Sequence, residues 1–228
     1  MDHQLNRYSK FFLIAVLSSA AFIACKREEI NNNSQANHAA SENNISLDKD
    51  IAAGANNNSP AAHIAASEKL EIPAAIDLPA NLPNGNTRVA TFYAEGVQKY
   101  KAQEKAGSNP VTYQWVFVAP QADLYDLTNA KIGTHSAGPT WQLSVNDSIY
   151  GQQYSPPKTA PSPDAGSIDW LLLMPKTGKT PTGIFAEVSY IQRIATKGGK
   201  APATPPTSAN ETVEVKYKAV YRFSKINP

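Results

Sequence analysis

The sequence predicts an all-β fold: a single antiparallel β-sandwich or barrel-like domain with long Pro/Gly-rich loops. Three observations carry this expectation. Val213, Val215, Tyr217, Ala219, Tyr221 and Phe223 alternate with Glu214, Lys216, Lys218 and Arg222. That is the two-residue period of a strand with one buried and one wet face. No segment carries a convincing 3.6-residue apolar period. Runs of β-branched and aromatic residues are separated by turn-forming clusters, in a chain with 17 prolines and 12 glycines.

The chain divides into residues 1–24 as a signal peptide, 25–70 as a tether and 71–228 as the folded domain. Arg7 and Lys10 precede an uncharged run from Phe11 to Ala24, the pattern of a secretory signal. The run is too short to cross the ~30 Å hydrocarbon core as a helix. Phe22-Ile23-Ala24-Cys25 resembles the lipobox of bacterial lipoproteins, with Phe22 where leucine is usual. The resemblance implies that Cys25, the only cysteine, carries acyl chains (palmitate among them) and becomes the mature N-terminus. Two or more chains anchor stably where one is marginal. Lys26-Arg27-Glu28-Glu29 also resembles the export tags of surface lipoproteins in Bacteroidetes-type bacteria. The expected location is the cell envelope, at the outer membrane or cell surface.

From Ile30 to Ser67 the chain is mostly Asn, Ala, Ser and Gly without aromatics. Such a segment buries too little apolar surface to offset an ordering entropy of ~1–2 kcal/mol per residue. A flexible tether is expected, in which Ala61 to Leu70 forms at most a transient helix. His38 and His63 stand there without neighbouring carboxylates and read as no metal site.

Within the domain, Leu78 to Asn86 is turn-rich. Arg88 to Lys101 reads as a strand that Gly96 interrupts, as a bulge or tight bend would. Val111 to Val118 reads as a central strand stopped by Ala119-Pro120. Tyr154 to Ser167 reads as a loop, and Ile168 to Met174 as a short strand apolar on both sides. Gly183 to Thr196 is a long strand candidate with Ile184, Ala186, Val188 and Tyr190 on one face. Thr196 to Asn210 is a loop before the final strand.

Leu82-Pro83 with Gly85, Gly96-Val97-Gln98-Lys99-Tyr100, Trp115 to Pro120, Gly133 to Trp141, Trp170 to Leu173, Tyr190 to Arg193 and Gly198 to Pro202 occur in that order. Together they resemble the secreted bacterial and fungal family known as domain of unknown function 3455, over almost all of Leu78 to Phe223. The family has no settled function, so the resemblance implies little about activity. Many members carry cysteines at the positions of Ala102 and Pro206. Their joint absence here implies that the end of the Tyr100 strand and the Pro202 loop lie side by side.

Some fungal relatives are labelled malate dehydrogenases, but no Gly-x-Gly-x-x-Gly follows a strand here and no helices alternate with strands. A nucleotide cofactor is not expected, nor any other. Gly178-Lys179-Thr180 mimics the end of a phosphate loop, yet Leu173 stands where its first glycine belongs; it reads as a turn. The charges, 21 Lys and Arg against 19 Asp and Glu, are dispersed, which suggests neither nucleic acid nor an anionic membrane surface as partner.

The nine residues Gly133-Thr134-His135-Ser136-Ala137-Gly138-Pro139-Thr140-Trp141 hold the candidate site. His135 is the only histidine of the expected domain. As a general base it needs an acid partner, and Asp123, Asp126, Asp147, Asp169 and Glu187 all qualify without any spacing to choose among them. A lone histidine makes a poor zinc site, so no metal is expected. The bland reading is that His135 holds the Gly138-Pro139 turn. Trp115, Trp141 and Trp170 with Tyr93, Tyr100 and Tyr190 form either a sugar-stacking platform or, more commonly for strand aromatics, core. Trp141 is the one expected to be partly exposed. Arg193 reads as a surface or ion-pair residue rather than an anion ligand.

The function these residues favour is a surface or envelope lipoprotein that binds a glycan, an envelope component or another protein. The alternatives are a secreted hydrolase-like enzyme using His135 with a loop carboxylate, and a purely structural envelope protein.

Overall fold

The computed structural model describes residues 57–228. The expected signal peptide, Cys25, the Lys26-Arg27-Glu28-Glu29 segment and most of the expected tether lie outside the described residues. The domain is all-β, as expected: β1 (Asn86–Glu104), β2 (Tyr113–Tyr125), β3 (Lys131–Ser136), β4 (Thr140–Ser144), β5 (Asp147–Ala160), β6 (Trp170–Pro175), β7 (Tyr190–Gly198) and β8 (Thr212–Ile226). Each strand pairs antiparallel with the next, and β8 returns to β1 to close a barrel. Closure leaves no open sheet edge to be protected.

Alternation along β8 divides the structure into an inside and an outside. Tyr217, Ala219, Tyr221 and Phe223 join the luminal core with Phe92, Ala94, Leu124, Ile149, Trp141 and Ile191. Because hairpins alternate between ends, the β1–β2, β3–β4, β5–β6 and β7–β8 connections share one end. The other end is plugged. A short 3₁₀ turn at Gly183–Phe185 turns the fully buried Phe185 inward, 4.9 Å from the ring of Phe223 and 6.3 Å from that of Phe92.

The other face of β8 is not wet throughout. Helix α1 (Pro60–Ser67) is capped by the Ser59 hydroxyl and begins on Pro60, a residue suited to a first turn. It lies on the outside of β1 and β8, with Ile64 buried among Ile76, Tyr93, Ile194 and Val220. His63 stacks on Tyr93 at 4.8 Å. Arg222 donates to the Ser67 carbonyl at 2.8 Å and pairs with Glu68 at 3.2 Å, while Gln192 donates to the Ile76 carbonyl at 2.8 Å. Ala61 to Leu70, expected to form at most a transient helix, thus packs because the barrel wall presents apolar and donor groups to it.

Four local expectations are corrected. β2 runs through Pro120, which pairs with Gln98, to Tyr125. β5 carries Pro156 and Pro157 on to Ala160, with its register broken between Gln153 and Lys158, so the prolines sit where ladder bonds are interrupted. The Gly183 to Thr196 candidate is a 3₁₀ turn followed by β7. Gly96 is no bulge: it pairs with Ala122, and a Cβ there would lie 2.1 Å from the Gln121 carbonyl oxygen. Gly178 does sit in a turn, closed by Lys179 N–H to the Lys176 carbonyl at 3.0 Å. Among the described residues no helix is long and apolar enough to cross a membrane.

Candidate functional site

The Gly133 to Trp141 stretch is a hairpin between β3 and β4 at the open end. Thr140 Oγ1 donates to the Ala137 carbonyl at 2.9 Å, and Gly138, at φ +131°, makes the reversal that a side chain would resist. His135 and Trp141 are direct cross-strand partners. Their rings stack at 4.5 Å, and Tyr221 meets both, at 4.9 and 5.1 Å.

Beside this cluster lies a cavity of about 650 Å³ to which every strand contributes a residue. Tyr100, Phe117, Trp141, Leu171, Leu173 and Tyr221 form an apolar wall. Gln98, His135, Gln153, Asp169, Arg193 and Lys200 add polar groups. Trp141, expected to be partly exposed, is fully buried from solvent and contributes to the cavity wall instead. Trp170 is buried on the outside of the barrel, and the Trp115 indole donates to the Thr204 carbonyl at 2.9 Å, so the three tryptophans form no common platform.

His135 has a defined tautomer. Its Nδ1 lies 2.9 Å from the Thr140 carbonyl, which only accepts, so Nδ1 carries the proton and Nε2 is the acceptor. Nε2 has no hydrogen-bond partner among the described residues. Burial holds the ring neutral, lowering its pKa from 6.5 to about 3; the Thr140 carbonyl opposes this and the Arg193 charge adds to it. Such a ring is a hydrogen-bond acceptor at neutral pH and a weak base.

Four of the five carboxylates considered as its partners are engaged elsewhere. Asp123 pairs with Lys131 at 2.9 Å. Asp126 accepts from Thr128 and Ala130 within its own turn. Asp147 accepts from Ser144 and Ile184, and Glu187 pairs with Lys225 at 2.6 Å. Asp169 alone stands in the cavity wall. Among the described residues no three His, Cys, Asp or Glu side chains gather as metal ligands would.

Arg193 was expected at the surface. It lies two residues after the luminal Ile191, opposite Tyr221, and lines the cavity. Its Nε and one terminal nitrogen donate to the Asp169 backbone carbonyl, at 3.1 and 2.7 Å. Its charge bears on His135, Tyr100, Tyr217 and Tyr221 alike. Burial raises the pKa of both Tyr217 and Tyr221, against the lowering effect of the nearby Arg193 charge; neither phenol oxygen has a hydrogen-bond partner of good geometry among the described residues. Gln98 Nε2 and Trp141 Nε1 also lack partners among the described residues.

Sequence reasoning found His135 and Trp141, which the structure brings together, and missed Gln98 and Arg193. Gln98 follows the luminal Ala94 and Gly96 by even steps, a polar residue on the inward parity. For Arg193 the parity was misread, because the face was counted from Ile184 across a segment that is not strand. The end of the Tyr100 strand lies against both ends of the connection between β7 and β8. Tyr100 Oη donates to the Gly199 carbonyl at 2.6 Å, and the Ala102 N–H to the Glu211 carbonyl at 2.8 Å.

A family model described as protein of unknown function (DUF3455) matches residues 83–225. No curated protein and no solved structure gives a significant match.

Proposed function

Since the chain belongs to the DUF3455 family, a description that carries no activity to transfer, we propose its function from the open end of the barrel. The domain is a binding module that takes one small molecule into the lumen. The observation that carries this is the cavity of about 650 Å³ beside the unpartnered Nε2 of His135. Ligand sites are typically concave, some 300–1,000 Å³, mostly apolar and supplied with a few convergent polar groups. An eight-stranded barrel is about wide enough to hold one small ligand when its interior is not filled.

His135 supports binding more than hydrolysis. A base held neutral down to a pKa of about 3 has little drive to take a proton at neutral pH. The same ring is a ready acceptor for a ligand hydroxyl or N–H. A purely structural His135 is less well supported, because a satisfied corner would use both nitrogens. The sequence before the domain supports the setting: a lipid anchor at Cys25 and a long tether hold the module at the envelope, where its ligand is an envelope component or a molecule arriving there.

The test uses a neutral, environment-sensitive fluorophore, phenylnaphthylamine. Saturable one-to-one binding is expected, and Leu171→Trp, which fills the cavity, abolishes it while near-UV circular dichroism shows the barrel folded. Absence of saturable binding to the wild-type protein, or binding undiminished in the filled variant, refutes the reading.

A further inference from the structure

We infer that the ligand of this cavity is an organic anion with a flat, ring-shaped carbon body, its acidic group meeting Arg193 and Lys200 and its rings lying among Tyr100, Phe117 and Leu171. The inference rests on the binding reading above and narrows the ligand class. Its first support is charge. Arg193 and Lys200 both stand in the cavity wall, and among the described residues neither forms an ion pair. Lys200 Nζ donates to the Ala165 carbonyl at 2.7 Å, and Arg193 to the Asp169 carbonyl.

Lys200 is exposed and Arg193 half-buried, so the decisive charge is that of Arg193: a cation partly withdrawn from water is ordinarily matched by an opposite charge, since desolvation is costly without it. Two of the five N–H donors of the Arg193 guanidinium go to the Asp169 carbonyl, and the Tyr221 phenol lies close by. The remaining donors include a whole terminal nitrogen, and a planar fork of this kind suits a carboxylate, sulfonate or phosphate. Among the described residues Asp169 is the only acidic one in the same wall, and both of its hydrogen bonds from Arg193 go to the backbone carbonyl rather than the carboxylate. Two cations face one anion, so the wall retains a positive excess.

The second support is shape and polarity. The rings of Tyr100, Phe117, Trp141 and Tyr221 with Leu171 and Leu173 make the rest of the wall. Trp141 and Tyr221 are already packed by protein and form the floor, so a planar carbon body buries against Tyr100, Phe117 and Leu171, where a sugar would bring several hydroxyls that each need a partner. Neutral His135 offers one acceptor, enough for a single hydroxyl or N–H on such a body.

Two probes that share one ring body separate the charge from the body: neutral phenylnaphthylamine and anionic anilinonaphthalene sulfonate. In the wild type the sulfonate is expected to bind about tenfold tighter or more, as a charge-assisted contact allows. Arg193→Gln weakens the sulfonate about tenfold more than it weakens the neutral probe, so the preference is lost. Lys200→Gln reduces it less, because that side chain is exposed. Equal affinities in the wild type, or a preference that survives Arg193→Gln, overturn the inference while the binding reading stands. If neither probe binds, it is the binding reading that falls. Should Arg193→Gln lose its near-UV signal, salt titration of the wild type decides: the sulfonate must weaken with salt while the neutral probe does not.

Discussion

His135 and Trp141 face each other across the β3–β4 hairpin, their rings 4.5 Å apart and 13° from parallel. The imidazole is therefore shielded by an indole on one side and approached by Tyr221 at 4.9 Å. Its desolvation has a pH signature. The folded pKa is lowered from 6.5 to about 3, so below pH 6.5 the unfolded chain binds a proton that the folded one refuses. The stability that the neutral ring contributes is complete above about pH 6.5 and is lost as pH falls toward 3, by about 1.4 kcal/mol per unit. Urea denaturation of wild type and His135→Phe at pH 7 and pH 5 checks this. The wild type should lose about 2 kcal/mol more than the variant between those values; parallel losses would remove the assignment.

At Gly96, paired with Ala122, the β2 backbone stands where a side chain would go. A Cβ there would sit 2.1 Å from the Gln121 oxygen and 2.5 Å from Ala122 Cα, both backbone atoms that cannot rotate away. Gly96→Ala is expected to cost about 1–3 kcal/mol by forcing the strands apart. Thermal unfolding should show a fall of several degrees, and an unchanged melting temperature would contradict this strand approach.

The fold class was legible because β8 wrote its two faces into alternate residues, and the hairpin around His135 because Gly138-Pro139 interrupts two β-prone runs. What stayed hidden was non-local. Alternation reports that one face is buried but not what buries it, so the outer face of β8 read as wet although Ile64 and Ser67 cover Val220 and Arg222. Nor does a single strand report closure, which depends on β1 meeting β8 across the length of the chain. Arg193 was misplaced because one 3₁₀ turn at Gly183–Phe185 resets the parity of everything counted through it. The cavity itself is a property of all eight strands together, and no local pattern encodes it.

Cys25 lies outside the described residues, and its prediction rests on the sequence. If the lipobox-like Phe22-Ile23-Ala24-Cys25 is processed as such, full-length protein expressed in a Gram-negative host partitions with membranes and incorporates labelled palmitate. Cys25→Ser should shift it to the soluble fraction, since anchoring requires the acyl chains. Membrane association that survives the substitution would place the anchor elsewhere.

The last prediction concerns α1, whose attachment is carried by Ile64 more than by charge. Glu68 is half-exposed, and its pair with the half-exposed Arg88 at 3.0 Å is worth under about 1 kcal/mol, while the buried Arg222, 3.2 Å away, keeps its bond to the Ser67 carbonyl without it. Ile64 is almost wholly buried against Tyr93, Val220 and Ile194, and truncating such a side chain costs about 2–5 kcal/mol. The barrel hydrogen bonds do not depend on the helix, so Ile64→Ala should loosen α1 locally rather than unfold the domain. Amide exchange at His63, which is bonded to the Ser59 carbonyl, should accelerate about thirtyfold or more. Amides in the middle of β8 should hardly change. Glu68→Ala should give a much smaller effect at the same amide. Equal effects from the two substitutions would mean that the ion pairs, not the buried isoleucine, hold the helix to the barrel.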